Sequence, residues 1–168
     1  MQPWMDRREI ELISFYAAGK ATMLEWGSGG STLEFSALVG RYFSIEHNAE
    51  WQAKLREQLP PNVEYRLVEP AWPHEGFRQA EVGQFDQYIK AIAGFGVSKF
   101  DLILIDGRAR IDCALEAAKF QPRGGLLFFH DFWLRRHYLA RCEQLLEHYR
   151  IIEGITSSPQ TLAVFERR

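Results

Sequence analysis

The sequence predicts a doubly wound α/β fold: a mostly parallel seven-stranded sheet, with helices on both faces and a C-terminal antiparallel hairpin. Three observations support this prediction. Short β-rich runs alternate with helical patterns, as in sheets built from β–α units. The run at 100–105, Phe-Asp-Leu-Ile-Leu-Ile, has few polar positions, which is typical of a strand covered on both faces. The last two strands have only a short polar connection, which joins antiparallel neighbours.

The strands are predicted at Thr22–Trp26, Tyr42–Glu46, Val63–Val68, Phe100–Ile105, Gly125–Phe129, Ile151–Ile155 and Leu162–Phe165. Apolar residues three and four positions apart predict the helices. These lie at Met5–Ala18, Thr32–Leu38 and Glu50–Leu59, over Phe85, Tyr88, Ile89 and Ile92, and at Ile111–Phe120 and Leu134–Tyr149. No linker or repeat divides the 168 residues, so we expect a single domain over 1–168.

The composition is that of an ordinary globular protein, with 46% apolar and 25% charged residues. A net charge of −2 provides no strong field for nucleic acid or an anionic membrane, so neither is expected as a partner. The sequence shows no secretory signal and no bilayer-spanning apolar run, which predicts a cytoplasmic protein. Cys113 and Cys142 lack zinc-site spacing and are expected to be reduced.

A glycine-rich turn follows the first strand, with the sequence Glu25-Trp26-Gly27-Ser28-Gly29-Gly30-Ser31-Thr32. Glycines allow a tight turn and a close approach of a ligand to the backbone. The free N–H groups of the following helix favour an anionic group. Ser31 and Glu34 have the spacing of a capping box, which indicates where that helix starts. A tight turn without a ligand is the alternative.

An acidic residue ends the second strand. Glu46 lies 19 positions after Gly27 and is followed by His47. A carboxylate at the tip of the neighbouring strand can accept both ribose hydroxyls of a nucleoside. The alternative is a surface acid near a helix N-terminus. The glycine turn and Glu46 together predict a nucleoside cofactor.

Three features favour S-adenosylmethionine over a nicotinamide dinucleotide, and the C-terminal hairpin is one of them. The dinucleotide fingerprint G-x-G-x-x-G/A fits from Gly27 until Thr32, where glycine or alanine is expected. Glu25, at the strand end, suits a cationic amino group better than a pyrophosphate.

These motifs resemble those of class I S-adenosylmethionine-dependent methyltransferases, over nearly the whole chain from about Thr22 to Phe165. The string Glu25-x-Gly27-x-Gly29-Gly30 resembles their first motif, and Glu46 resembles their ribose-binding acid. Their fourth-strand motif resembles the run Phe100-Asp-Leu-Ile-Leu-Ile-Asp106, and the segment that leads into their fifth strand resembles Pro122-Arg-Gly-Gly-Leu-Leu. The closing hairpin resembles their last two strands. Glu-Trp-Gly-Ser-Gly-Gly-Ser-Thr and Ser-Ile-Glu-His are most similar to a small bacterial branch.

The resemblance implies S-adenosylmethionine as the cofactor. Gly27 and Gly29 would line its methionine end, and Val68 and Glu69 would lie near the adenine. Ser31 replaces the usual last glycine of the motif, so its hydroxyl either caps the helix or contacts the cofactor carboxylate. The predicted cofactor-binding residues are Glu25, Gly27, Ser28, Gly29, Gly30, Ser31, Glu46, His47 and Glu69.

The predicted catalytic residues lie at the carboxyl ends of the fourth and fifth strands. They are Asp106 after the fourth strand, and His130 and Asp131 after the fifth. The Asp106 carboxylate could act as a general base, a metal ligand or an acceptor-orienting group, or be satisfied by backbone N–H groups. His130 could take a proton near neutral pH or be merely hydrogen-bonded. Asp131 could equally cap the next helix.

Asp106 and Asp131 also resemble two carboxylates that hold magnesium in catechol-type O-methyltransferases. An Asn usually follows the second of these, and here Phe132 stands in its place. Because this ligand is missing, no residue is assigned to a metal. Two oxygen ligands with waters could still bind a divalent ion weakly.

Clustered arginines flank the same strand ends. Arg108 and Arg110 follow the fourth strand, and Arg135 and Arg136 begin the helix after the fifth. Guanidinium groups bind carboxylates and phosphates in a forked geometry. A solvated basic face is the alternative, and it is favoured for Arg135 and Arg136. We predict that Arg108 contacts an acidic acceptor.

The segment Pro70–Gly83 after the third strand contains Trp72, which is the second predicted acceptor contact. Long loops in compact domains are often functional, and this one would form a lid or an acceptor wall. Packing of its aromatic side chains under the loop is the equal alternative.

The predicted function is methyl transfer to an oxygen or nitrogen of a small, acidic acceptor. A non-catalytic cofactor-binding module and a nicotinamide-dependent oxidoreductase are the alternatives. A nucleic-acid methyltransferase is disfavoured, because the Asn/Asp-Pro-Pro-aromatic tetrapeptide of base-methylating enzymes is missing after the fourth strand. A short chain without an added acceptor-binding domain favours a small acceptor, or a homodimer in which a second subunit completes the site.

Overall fold

The computed structural model describes residues 1–74, 81–156 and 161–168. One seven-stranded sheet runs through the molecule in the order β3-β2-β1-β4-β5-β7-β6. Its strands are β1 (Thr22–Trp26), β2 (Arg41–Glu46), β3 (Val63–Leu67), β4 (Leu102–Ile105), β5 (Leu126–His130), β6 (Tyr149–Ile155) and β7 (Leu162–Arg167). The predicted doubly wound sheet is confirmed.

The C-terminal hairpin is confirmed as well. β1 to β5 pair in parallel, β7 pairs antiparallel with β5, and β6 pairs antiparallel with β7. Because β7 lies between β5 and β6, six of the seven strands share one direction. The dinucleotide-binding order 3-2-1-4-5-6 has no such inserted strand.

The helices are α1 (Arg7–Ala17), α2 (Gly30–Ser36), α3 (Ala49–Leu55), α4 (Asp86–Lys90), α5 (Arg110–Ala117), α6 (Arg136–Ala140) and α7 (Cys142–Leu146). Single 3₁₀ turns follow α3, α4 and α5 and precede α6, at Arg56–Gln58, Ala91–Phe95, Ala118–Phe120 and Phe132–Leu134. No helix among the described residues is long and apolar enough to span a bilayer.

Two cores form because alternate residues of a strand point to opposite faces of the sheet. On one face, Leu24 and Ile103 pack among residues of α4, α5 and α7. On the other face, Met23 and Leu102 pack against Ile13 of α1 and neighbouring residues of α2. This two-sided burial explains why the fourth-strand sequence has so few polar positions.

The predicted long helix at Leu134–Tyr149 is wrong. The segment forms a 3₁₀ turn and then α6 and α7, which are separated at Arg141, and Tyr149 already belongs to β6. The sequence has no glycine or proline at the break. Arg141 leaves the helical region at φ −109° and ψ 8°, and its guanidinium binds Asp112 of α5 at 2.7 Å. The helix break thus coincides with a tertiary contact. Apolar periodicity along the sequence cannot predict a break of this kind.

The predicted capping box of Ser31 and Glu34 is also wrong. Gly29 occupies the N-cap position of α2, and its N–H donates to the Thr32 hydroxyl at 2.9 Å. The Ser31 hydroxyl is used elsewhere, since it donates to Glu25 at 2.9 Å.

Glu25 lies in β1 on the face that packs against α2, and it is fully buried. Its carboxylate accepts hydrogen bonds from the hydroxyls of Ser31, Thr32, Tyr42 and Ser44. The Glu25 side chain therefore links β1 through hydrogen bonds to β2 and to the start of α2. Burial raises the pKa of Glu25 to about 7, although the four hydroxyl donors act in the opposite direction.

This raised pKa predicts a pH-dependent stability that Glu25→Gln removes. A carboxyl whose folded-state pKa exceeds its unfolded value stabilises the fold below the unfolded value and loses that contribution as the pH rises through the folded value. From pH 5 to 8 the free energy of unfolding should fall by on the order of 3 kcal/mol more in the wild type than in Glu25→Gln. Urea unfolding at several pH values measures the difference.

Exposed Glu34→Gln, on α2, is the matched control and should retain the wild-type pH profile. Parallel curves for the wild type and Glu25→Gln would contradict the prediction.

Candidate functional site

The carboxyl ends of β1, β2, β4 and β5 meet at one edge of the sheet, and two cavities open there side by side. Ligands of open α/β sheets bind at this edge. The turns after β1 and β4 touch each other. Gly27 has φ +97°, and a Cβ on it would lie 2.5 Å from the Gly107 nitrogen. No side chain other than hydrogen fits at Gly27, so this glycine is required by the fold.

The first cavity, which we call the glycine-turn cavity, has a volume of about 390 Å³. It is lined by Gln2, Trp4, Gly27, Ser28, Gly29, Gly30, Ser31, Glu46, His47, Asn48, Trp51, Asp106, Gly107, Arg108, Arg110, His130, Asp131 and Arg135. Seven of the nine predicted cofactor-binding residues and all three predicted catalytic residues are therefore brought together at one cavity.

Glu46 is held at the end of β2 by backbone donors. Its carboxylate accepts from the N–H of Ser28 at 2.9 Å and from those of His47 and Asn48 at 2.8 Å each. These bonds tie the tip of β2 to the glycine turn. A carboxylate has about four acceptor positions, so three donors leave one for a ligand hydroxyl.

The N-terminal residues form an outer wall that the sequence did not predict. A Cβ on Gly30 would overlap the backbone of Gln2 and Pro3, so this segment lies directly on the glycine turn. Trp4 contacts Trp51 with 5.8 Å between ring centroids, and the Trp51 indole donates to the Ser28 carbonyl at 2.5 Å. The residues before α1 carry no periodic pattern from which this wall could be predicted. The run of glycines in the turn after β1 is the only sequence signal that another backbone segment packs closely against that turn.

Asp106 follows β4 and is held by two cationic partners. The His130 Nδ1 lies 2.9 Å from its Oδ1, and the Arg110 guanidinium lies 3.1 Å from the same oxygen. Burial would raise the pKa of the Asp106 carboxyl, but the charge of Arg110 and the hydrogen bond from His130 outweigh burial and lower it. Asp106 is therefore an ionised carboxylate and a weak base.

His130 ends β5 and is buried. Burial favours the neutral imidazole. The hydrogen bond to Asp106 and the charges of Asp106, Glu9 and Asp131 prevail, however, and raise the pKa of His130 to about 10. The raised pKa favours the protonated ring at neutral pH, which makes His130 a weaker candidate for the proton acceptor that the sequence suggested.

Asp131 adopts a left-handed backbone conformation with φ +60°, and its side chain makes no capping hydrogen bond. The capping alternative is therefore wrong. The carboxylate instead faces two guanidinium groups, Arg135 at 3.3 Å and Arg110 at 3.5 Å.

Arg110 is the hub of this cluster and is only 9% exposed. Its guanidinium contacts Asp106 and Asp131 and donates to the His130 carbonyl at 2.6 Å. The two carboxylates that resembled magnesium ligands are thus bridged by a cation of the chain itself. Within residues 1–74, 81–156 and 161–168, no group of three or more metal-binding side chains is arranged around a metal position.

The second cavity, which we call the arginine cavity, has a volume of about 550 Å³. Its lining comprises Glu81, Val82, Gly83, Phe85, Asp86, Ile89, Gly107, Arg108, Ala109, Arg110, Ile111, Asp112, Arg135, His137, Tyr138 and Arg141. Burial and the charges of Arg110 and Arg135 lower the pKa of Arg108. Arg135 lines both cavities and is not merely part of a solvated basic face.

Three predicted site residues line neither cavity. Glu25 is engaged by four hydroxyl groups in the interior. Glu69 is exposed after β3. Trp72 is 40% exposed, and its indole donates to Glu81 at 3.2 Å. The predicted lid Pro70–Gly83 includes residues 75–80, which lie outside the described residues.

The sequence matches no known family profile and no protein of curated function. Solved structures are nevertheless similar. A methyltransferase-like protein from Silicibacter pomeroyi DSS-3 is 24% identical, with a TM-score of 0.72 over 99% of this chain and 89% of that one. The N-methyltransferase NodS from Bradyrhizobium japonicum WM9, in complex with S-adenosyl-L-homocysteine, is 15% identical, with a TM-score of 0.64 over 99% and 88%.

A third similar structure is the tRNA (m1A58) methyltransferase TrmI from Aquifex aeolicus. It is 14% identical, with a TM-score of 0.71 over 100% of this chain and 71% of that one. The chain has the Rossmann-like methyltransferase fold. One of these proteins is named for methylation of tRNA and the other two are named without an acceptor, so the shared fold does not identify one.

Arg110→Met should strongly destabilise the protein. The variant keeps an apolar stem but leaves Asp106 and Asp131 without their shared cation, and breaking a buried ion pair costs about 3–5 kcal/mol. Chemical denaturation at pH 7 measures the loss.

Arg136→Met, at an exposed position of α6, is the control and should change the free energy of unfolding by less than about 0.5 kcal/mol. Equal stability of the two variants would show that Arg110 does not organise the cluster.

Proposed function

We propose that the chain binds S-adenosylmethionine in the glycine-turn cavity and transfers its methyl group to a small acidic acceptor held in the arginine cavity. The observation that carries this proposal is that the two cavities are contiguous. They share Gly107, Arg108, Arg110 and Arg135. Ligands bound in the two cavities would therefore meet at this junction, which is the alignment that an in-line displacement requires.

The glycine-turn cavity suits the cofactor in size and in chemistry. Its volume of about 390 Å³ falls in the range typical of small-molecule sites. Glu46 retains one acceptor position for a ribose hydroxyl, and His47 lies beside it in the lining. The backbone of Gly27 and Gly29 can approach a ligand closely. The S-adenosyl-L-homocysteine complex of NodS, which has the same fold, supports this assignment.

The bound cofactor would supply a methyl group on a cationic sulfur, and the chain would align the acceptor and manage its proton. Asp106, His130 and Asp131 line the glycine-turn cavity but not the arginine cavity. Asp106 lies within 3.1 Å of two cationic groups, His130 and Arg110, and the ion pairs of His130 favour its protonated form. The guanidinium groups lie farther from Asp131, at 3.3 and 3.5 Å. We therefore assign proton acceptance or acceptor orientation to the Asp131 carboxylate.

The arginine cavity favours an anionic acceptor. Arg108, Arg110, Arg135 and Arg141 all line it, and the lowered pKa of Arg108 reflects repulsion by Arg110 and Arg135 in addition to burial. An anion relieves this repulsion and offers oxygens to the guanidinium forks. The same positive charge lowers the pKa of an acidic nucleophile, which reduces the demand on a general base.

The purified protein should bind S-adenosyl-L-homocysteine with micromolar affinity, and Glu46→Ala should weaken binding by about tenfold or more, because charged hydrogen bonds contribute about 1.5–3 kcal/mol each. Isothermal titration provides the measurement. Glu50→Ala, an exposed acid of α3, is the matched control.

Binding of NAD alone would overturn the proposal in favour of an oxidoreductase. Binding of S-adenosyl-L-homocysteine without transfer to any acceptor would support the non-catalytic binding module.

Acidic acceptors should be methylated in preference to neutral analogues of the same shape. Transfer of a labelled methyl group is measured over pairs of compounds that differ only in a carboxylate or its amide. Arg108→Ala should lower kcat/KM for the acid by about 10–100-fold, since it removes a charge-assisted contact.

Exposed Arg136→Ala should leave this preference unchanged. Equal rates for the acid and its amide in the wild-type protein would contradict an anionic acceptor.

A further inference from the structure

Glu9 is a fully buried carboxylate of α1 that lines neither cavity. Its Oε2 accepts from the Asp6 N–H at 2.8 Å, within a capping box at the start of the helix. Its Oε1 has no hydrogen-bond partner among the described residues. A capping carboxylate needs no burial, and removing its charge from water costs several kcal/mol unless an opposite charge compensates it.

The compensating group is the imidazole of His130. Its Nε2 lies 3.6 Å from the Glu9 Oε2, while its Nδ1 lies 2.9 Å from the Asp106 Oδ1. The Nε2 also has no hydrogen-bond partner among the residues that the structure describes. The charged side chains around the ring are Glu9 from α1, Asp106 after β4 and Asp131 after β5, whose carboxylate lies 3.8 Å from Nδ1. Arg110 binds the His130 carbonyl and both aspartates.

We infer that Glu9 is a positioning residue of the proposed methyl-transfer site, which acts through His130 to hold the Asp106 carboxylate in place. The imidazolium shares its positive charge between both ring nitrogens, and Glu9 forms an ion pair with the Nε2 side at 3.6 Å. A carboxylate on the Nε2 side fixes the rotation of the ring, so that Nδ1–H is directed at Asp106. Carboxylates behind a catalytic histidine act in this way in other enzymes. α1 thereby becomes part of the site, although it lies outside both cavities.

The inference rests on the proposed function for the role of the site, but the contact itself can be tested without a substrate. Side-chain nitrogen NMR of the full chain, over pH 5 to 10, reports the protonation of His130. The signal is assigned by its loss in His130→Gln. We expect the ring to stay protonated through neutral pH. Glu9→Gln should lower the pKa of His130 by about one unit or more, because an opposite charge within 4–6 Å produces shifts of that size.

Glu11→Gln is the matched control, since Glu11 is exposed on the same helix and pairs with Arg7. It should leave the His130 titration unchanged, and Glu9→Asp should restore part of the shift. An unchanged titration in folded Glu9→Gln would overturn the inference and leave Glu9 a helix cap. If Glu9→Gln does not fold, the wild-type titration decides, because an ordinary midpoint near 6.5 would also overturn it.

Failure of this inference is distinguishable from failure of the proposed function. Absence of S-adenosyl-L-homocysteine binding would refute the cofactor assignment while leaving the His130 titration interpretable. Conversely, normal cofactor binding with an unshifted His130 would refute only the role of Glu9.

Discussion

The backbone contact between the turns after β1 and β4 is the constraint on which the site depends. The two strands are neighbours, and their pairing continues into the turns, where the Asp106 N–H donates to the Trp26 carbonyl at 2.9 Å. Gly27 and Gly107 then pass so closely that neither tolerates a side chain. A Cβ on Gly107 would overlap the Tyr88 hydroxyl and lie 3.0 Å from the Gly27 nitrogen. This contact fixes the glycine turn beside Asp106. It also places Gly107 and Arg108, which line both cavities, next to that turn.

Around the junction of the two cavities, the chain balances opposite charges at close range. Glu9, Asp106 and Asp131 are negative, and His130, Arg110 and Arg135 are positive. Asp106, Asp131, His130 and Arg110 each contact at least two opposite charges, whereas Glu9 and Arg135 each contact one among the described residues. Such a network stabilises only when it is complete, because a buried charge that loses its partner retains its full desolvation cost. The network also assigns protonation states. It charges His130 and holds Asp106 ionised, so the residues that looked most like general bases in the sequence are ion-pair partners in the structure.

The sequence predicted the edge of the sheet at which the site lies, and the reason is local. A glycine run after one strand, an acid at the tip of the next and polar residues after two apolar strands are all read from adjacent positions. Glu46, Asp106, His130 and Asp131 do line one cavity. Glu25 shows the limit of this reasoning. In a sequence, an acid at a strand end looks the same whether its side chain points to a ligand or into the protein. For Glu25, only the structure shows that the carboxylate points inward, because it accepts hydrogen bonds from four buried hydroxyl groups.

Strand and helix types, their order and the terminal hairpin were thus determined by the sequence alone, because they follow from apolar periodicity and from the length of connections. The insertion of β7 between β5 and β6, the break at Arg141, the wall formed by Gln2 and Trp4 and the approach of Glu9 to His130 were decided only by tertiary structure. Each of these depends on contacts between residues that are distant in the chain. Such contacts are selected by packing and charge compensation in the folded protein, and no local pattern encodes them.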